Sequence, residues 1–167
     1  VDQKGLGLLW EAFLSLHQEN PKWELHCVGT GEKFDARLKH EKVFHHGFLQ
    51  PAELEPLILD ATAFVIPSLF EPWGVVLHEM AAAGLPLITS DAVGAATTFV
   101  SDGVNGWSYE STDKAGLVHS LKRLYALSDN DVFKMGEESH RISQCISPDI
   151  WAKVAENLVV LNQIKSQ

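Results

Sequence analysis

Short apolar runs closed by glycine or proline alternate along this chain with stretches whose apolar residues recur every three or four positions. That alternation constrains the fold more than any other feature. Short buried strands joined by helices pair in parallel, in a sheet covered on both faces. Leu6, Leu9, Trp10, Phe13 and Leu16 share one helical face, which predicts a helix over 7–17 that Asn20-Pro21 ends. Residues 23–28 read as a strand running into the loop Gly29-Thr30-Gly31, 34–40 as a weak helix, and 43–46 as a strand closed by Gly47. A helix over 51–59 has Pro51 at its first position. The run 62–66 is apolar almost throughout, as for a strand buried on both faces. A loop over 67–73 leads to a helix over 74–83 that Gly84 stops. A strand over 85–89, a short helix or loop over 93–100, and a turn at Asp102–Gly106 leading into 107–109 follow. Helices are expected over 117–125, 130–144 and 148–164, the last with Trp151, Val154, Leu158 and Leu161 on one stripe.

The fold class is therefore α/β: a Rossmann-like parallel sheet flanked by helices on both faces. Ligands of such sheets sit at the carboxyl ends of the strands. The loops after Val28, His46, Ile66 and Thr89 are the ones to watch.

Composition narrows the function. The 167 residues, 46% hydrophobic, suffice for one domain with a core. A net charge of -9 argues against sequence-independent nucleic-acid binding, which needs a basic face. No apolar run reaches the roughly 18 residues of a membrane span. Cys27 and Cys145 form no disulfide framework and lack zinc-site spacing, so a reducing cytosolic setting is expected. His45 and His46 are neighbours on a strand and point to opposite faces, so they do not share a metal ion. Ser68 has no nucleophile-elbow pattern around it and reads as a helix-entry or loop hydrogen bonder. Cys27 reads as a small buried hydrophobe, and His78 as partly exposed. The opening on Val1 rather than Met suggests a piece of a longer protein.

The densest chemistry lies in Pro67-Ser68-Leu69-Phe70-Glu71-Pro72-Trp73-Gly74-Val75-Val76-Leu77-His78-Glu79. On one helix, eight residues leave Glu71 and Glu79 roughly 80° out of phase. The spacing makes sense with Glu71 in a loop and Glu79 one turn inside a helix. Between them, Trp73, Gly74, Val75 and Val76 offer free N–H groups at a helix N-terminus, an anion site. Gly74 removes bulk where a phosphate would approach. Carboxylates on either side of an anion repel it but accept hydrogen bonds from hydroxyls. A diphosphate with a ribose on one side and a hexose on the other fits that pattern.

The run Pro67-Ser68-x-x-Glu71-Pro72-Trp73-Gly74-x-x-x-x-Glu79 resembles the E-x7-E signature of retaining glycosyltransferases of family 4, which have the GT-B fold. Lys4-Gly5, the segment Trp23–Gly31, Val43–Gly47, Gly84–Ile88 and Asp102–Gly106 resemble further landmarks of that family, in the family's order. The resemblance implies the C-terminal, donor-binding half of such an enzyme. It implies that Lys4 contacts the diphosphate and that Glu71 contacts the donor sugar; these are the catalytic candidates. Glu79 would bind ribose, Trp73, Gly74, Val75 and Val76 would hold phosphate and sugar oxygens, and Gly47, Phe48 and Leu49 would line the base pocket. Gly29 and Gly31 would border the same cleft. No cofactor or metal is implied; the nucleotide diphosphate sugar is itself the donor substrate, and a glycan or glycolipid is the acceptor.

The family's N-terminal acceptor domain and its first C-domain strand, with an arginine, have no counterpart in these residues. That strand is central in the usual sheet. The fragment alone is expected to be inactive and, through the stripe behind Trp151, to self-associate. The parent is expected in the cytoplasm or at the inner face of the membrane, in surface polysaccharide synthesis. The alternatives are a non-catalytic nucleotide- or partner-binding module and a nucleotide-sugar 2-epimerase.

Overall fold

The structure is a computed structural model that describes residues 3–31, 34–147, 149–150 and 152–153. The strands among these are β1 (Leu25–Val28), β2 (Val43–Gly47), β3 (Phe64–Ile66), β4 (Leu87–Ser90) and β5 (Gly106–Tyr109). The helices are α1 (Leu6–His17), α2 (Pro51–Asp60), α3 (Val75–Ala82), α4 (Ala96–Phe99), α5 (Lys114–Tyr125) and α6 (Asp129–Ser143). All strand pairings between these elements are parallel, as the alternating pattern requires.

Side chains alternate across β3 and β4 and so feed two cores. Leu9, Ala12 and Leu16 of α1 and Leu117, Leu121 and Leu124 of α5 pack with Ile88 and Trp107 on one face. Leu77 and Met80 of α3 and Ala96 and Phe99 of α4 pack with Ile66 and Leu87 on the other, where Ile58 of α2 also lies. α6 serves both, placing Met135 in the first core and Ile142 against the second. Every residue of β4 is buried, which is why 87–90 reads as an unbroken apolar-to-small run.

The sheet is divided. β1 pairs with β2, and β3 with β4 and β5, and no ladder joins the two sets among the described residues. α1 nevertheless spans both: its core packs against Leu25 of β1 and against Val65 of β3. The division corrects one expectation. The run 62–66 gives a strand only over Phe64–Ile66, and Phe64 and Val65 are half-buried rather than enclosed, because one edge of β3 has no neighbour among the described residues.

Residues 34–40 are not helical. Phe34 and Leu38, one turn apart, join neither core, so no packed face holds a helix there. Instead Arg37 folds back, donating to the Phe34 carbonyl at 2.8 Å with its guanidinium 4.5 Å from the Phe34 ring centre, and His40 bridges to Val43. The caps of α5 and α6 are side-chain caps: Asp113 accepts from the Ala115 amide at 2.9 Å and Ser128 from the Asp131 amide at 3.2 Å. The helix expected over 148–164 and its stripe at Trp151, Val154, Leu158 and Leu161, with the self-association built on it, lie outside the described residues apart from 149–150 and 152–153, which are helical.

Candidate active site

The loop from Ile66 to Gly74 leaves the carboxyl end of β3 and enters α3. Glu71 sits in this loop and Glu79 in the second turn of α3, the division that the eight-residue spacing predicts. The loop is held from the neighbouring strand end. The Glu71 amide donates to the Ala92 carbonyl at 3.1 Å, the Gly94 amide to the Glu71 carbonyl at 3.0 Å, and the Ala95 amide to the Trp73 carbonyl at 2.8 Å. Glu71 and Val93 thus form a one-residue parallel bridge beyond the ends of β3 and β4.

Gly74 is the N-cap of α3 at φ +91°, a conformation that favours glycine. It is buried, and a Cβ there would lie 3.0 Å from Val93 and 3.1 Å from the Glu71 side chain. Its glycine is therefore required by the turn and its packing, a reason different from the ligand approach expected of it. The amides of Trp73, Gly74, Val75 and Val76 donate to no group among the described residues, whereas the Leu77 amide is satisfied by the Gly74 carbonyl at 2.9 Å. Four unpaired donors at the positive end of a helix dipole make an anion cradle.

Lys4 Nζ stands 2.5 Å from Glu71 Oε2, so the two catalytic candidates meet. The ammonium is largely exposed and the carboxylate largely covered, at 66% and 19%. An ion pair with so exposed an ammonium contributes about 1 kcal/mol or less. Lys4 is placed by the segment before α1. The Gln3 carbonyl accepts from the Leu69 amide at 2.8 Å, and Gly5, at φ +64°, packs so closely on Pro67 that a Cβ would fall 1.9 Å from its carbonyl oxygen. Glu79 is exposed, and its carboxylate has no partner among the described residues.

The remaining candidates lie at the carboxyl ends of β1 and β2. Gly29 (φ +114°) and Gly47 (φ +70°) end the two strands, and the Gly29 amide donates to the Gly47 carbonyl at 2.6 Å. Gly31 is open, with nothing near its Cα substituent position, and accepts from the Phe34 amide. Phe34 lies 3.8 Å from where a Gly47 Cβ would be. Just after β2, Phe48 is 70% exposed and Leu49 is half-buried. Val28, the last residue of β1, is also exposed, as are Phe70 and Trp73 in the loop after β3 and Val75 at the start of α3.

Some features carry no local signal. Gly94 looks like an ordinary loop glycine, yet a Cβ on it would lie 2.1 Å from the Pro72 carbonyl oxygen. His78, half-buried, stacks on Phe99 at 4.3 Å and bonds the Ser143 carbonyl at 3.0 Å, tying α3 to α6. Ser68 corrects its expected role: its hydroxyl is buried without a partner, and its carbonyl instead accepts from the Ser90 hydroxyl. Burial pushes the Cys27 thiol up, away from nucleophilic chemistry. His45 and His46 do lie on opposite faces, His45 edge-on to Trp10 of α1 and His46 against His26.

The family described as glycosyl transferases group 1 matches residues 1–127, three quarters of the chain. The chain belongs to the group 1 glycosyltransferases. All the site residues named above lie in the matched segment. A glycogen synthase of Mycobacterium tuberculosis is 42% identical over 127 residues, covering 72% of this chain and 30% of that protein. The lipopolysaccharide 1,6-galactosyltransferase of Escherichia coli is 29% identical over 120 residues, covering 66% and 33%. The chain thus spans about a third of these relatives. Among solved structures, sucrose-phosphate synthase of Thermosynechococcus elongatus superposes with a TM-score of 0.77 at 19% identity, over 99% of this chain and 43% of that one. The pneumococcal O-GlcNAc transferase GtfA, solved with UDP and GlcNAc, gives 0.77 at 22% identity, over 95% and 34%. These likenesses carry the fold, in which the group 1 glycosyltransferase chain described here is an α/β unit with parallel strands and helices on both faces.

Proposed function

We propose that this chain is the donor-binding unit of a retaining hexosyltransferase that takes its sugar from a nucleotide diphosphate sugar. The observation that carries the reading is the placement of Glu71 and Glu79 on either side of four unpaired amides, with Lys4 at hand. The amides of Trp73–Val76 hold diphosphate oxygens. Lys4 leaves Glu71 for the same diphosphate and offsets the negative charge that grows on it as the glycosidic bond breaks. Glu71, released, accepts from hydroxyls of the sugar. Glu79 accepts from the ribose hydroxyls, and the base lies towards Gly47, Phe48 and Leu49, bordered by Gly29 and Gly31. No step needs a metal ligand from this chain. The relatives that act on glycogen and lipopolysaccharide support a glycan or glycolipid acceptor, held by a further part of the parent protein, and a role in surface polysaccharide synthesis. In that role the parent works in the cytoplasm or on the inner face of the membrane.

Titration calorimetry of the chain with UDP, GDP and ADP tests the site. One nucleotide is expected to bind, and Glu79→Ala to weaken it about tenfold, the loss of a charge-assisted hydrogen bond pair worth roughly 1.5 kcal/mol or more. Equal affinity in the variant would overturn the role of Glu79. Absence of binding by folded protein, with binding restored in the longer parent, would locate the missing wall of the site in the parent's other part.

A further inference from the structure

Phe34 is half-buried yet joins neither core, and it is held in place on several sides. Its amide donates to the Gly31 carbonyl at 2.9 Å, closing the turn that follows β1. Its carbonyl accepts from Arg37 at 2.8 Å, and the guanidinium covers one face of the ring, 4.5 Å from its centre. The tip of the ring lies 3.8 Å from where a Gly47 Cβ would be, and the Thr30 methyl lies 4.0 Å from the same point. No second ring stacks on Phe34 among the described residues. The fold thus fixes an aromatic ring over a strand-end glycine without using it to join a core.

The ring stands at the end of the molecule where the anion cradle lies. α1 starts beside the carboxyl end of β3, where the Leu69 amide donates to Gln3. It runs past Trp10, which meets His45 of β2 edge-on, to the turn at Asn20–Trp23 that leads into β1. β1 and the parallel β2 then run back against α1, so their carboxyl ends face the same way as that of β3. Phe34 follows the first of these ends and touches the second.

We propose that Phe34 is the platform on which the nucleobase of the donor stacks, on the ring face away from Arg37. This rests on the donor-site reading and deepens it. Backbone groups at Gly47, Phe48 and Leu49 can bond the edge of a base but offer nothing to its flat face. Proteins hold that face on an aromatic or guanidinium plane. Every base has such a face, so the stack supplies affinity and the strand-end backbone supplies the choice of base. Arg37 is a positioning residue: its bond to the Phe34 carbonyl and its cover of the far face hold the ring over Gly47.

Calorimetry with UDP, GDP, ADP and inorganic pyrophosphate, on the unsubstituted chain and on Phe34→Leu, tests the platform. Leucine keeps an apolar side chain over Gly47 and removes the π face. Affinity for the nucleotide that binds should fall about tenfold, while pyrophosphate affinity stays within about twofold, and Phe34→Trp should bind the nucleotide as the unsubstituted chain does. Arg37→Gln should weaken the nucleotide about threefold and spare pyrophosphate. Proton NMR of the bound nucleotide gives a readout that packing alone does not move: the base protons shift upfield in the complex, and the shift is lost with Phe34→Leu. Unchanged nucleotide affinity in Phe34→Leu, or an upfield shift that persists in it, overturns the assignment. So does an equal fall for both ligands, because a platform for the base cannot act on pyrophosphate. A nucleotide that binds no more tightly than pyrophosphate overturns the stack and leaves the anion cradle standing. Where only the longer parent binds, the same variants are measured in it. Binding of neither ligand, by this chain and by the longer parent alike, overturns the donor site and the stack with it.

Discussion

Gly94→Ala is expected to lower the melting temperature by roughly 6–12 °C, the shift that about 3 kcal/mol gives in a domain of this size, and, on the donor-site proposal, to abolish nucleotide binding. The added methyl falls 2.1 Å from the Pro72 carbonyl oxygen and 3.0 Å from its carbon. Both are backbone atoms in a segment that cannot retreat. The Glu71 carbonyl is bonded to the Gly94 amide itself, and the Trp73 carbonyl to the Ala95 amide. Pushing Pro72 away from Gly94 breaks those two bonds and tilts Glu71 and the start of α3 together. The anion cradle needs its donors within a few tenths of an ångström of their places, so affinity falls further than stability. Gly31→Ala is the control. Among the described residues no atom lies within 4 Å of its added methyl, and its φ is not positive, so its melting temperature should match the parent's. Thermal melts and calorimetry on both variants decide the matter. A Gly94→Ala protein that melts within about 2 °C of the parent, or binds as tightly, would show that the loop can yield.

What is legible in the sequence and what is not divides along one physical line. Local patterns announce local structure. The stripe from Leu6 to Leu16 gives α1, Gly74 ahead of an apolar run gives the start of α3, and the eight-residue gap places Glu71 in a loop and Glu79 in a helix. Contacts between segments far apart in the chain leave no such mark. The bridge from Glu71 to Val93 spans two loops, and neither contains a residue that advertises it. Lys4 and Glu71 are 67 positions apart, and only the fold brings Gln3 to Leu69 and so the ammonium to the carboxylate. The histidines are a similar case. His26 and His46 look like scattered polar residues until the parallel register sets β1 beside β2. The segment 34–40 misleads because its composition permits a helix while no core face is available to hold one; Arg37 stacking on Phe34 takes its place.

Splicing a five-residue apolar strand ahead of Val1 raises the melting temperature by roughly 10 °C. From β2 through α2 to β3, and on through α3 to β4, the chain crosses on the face of the second core. α1 lies on the opposite face, packed with α5. Crossovers between parallel strands are right-handed in nearly all proteins. A helix on the opposite face must therefore carry the chain in the opposite direction along the sheet. A strand feeding α1 then belongs on the side of β1 away from β2, between β1 and β3. The start of α1 agrees, because Gln3 and Gly5 pack on Leu69 and Pro67 at the carboxyl end of β3, where a parallel strand would finish. The edges on either side are ready to pair. The Leu25 amide bonds to Lys42 on the β2 side and the Phe64 amide to Pro86 on the β4 side. By the alternation of a strand, the polar groups of His26 and of Val65 then face the open slot. Five new hydrogen bonds at about 1 kcal/mol each, and burial of the five inserted apolar side chains at about 1.5–2 kcal/mol each, outweigh the ordering of five residues at about 2 kcal/mol each by about 3 kcal/mol. At roughly 3 °C per kcal/mol that is the stated shift. The same insert with proline at its second and fourth positions cannot donate to either edge and should give no gain. Melts of the two inserts and of the parent, with exchange protection at the His26 and Val65 amides, provide the check. Equal melting temperatures for the apolar and proline inserts would mean that the slot is not a strand site and that α1 is held by its packing on α5 alone.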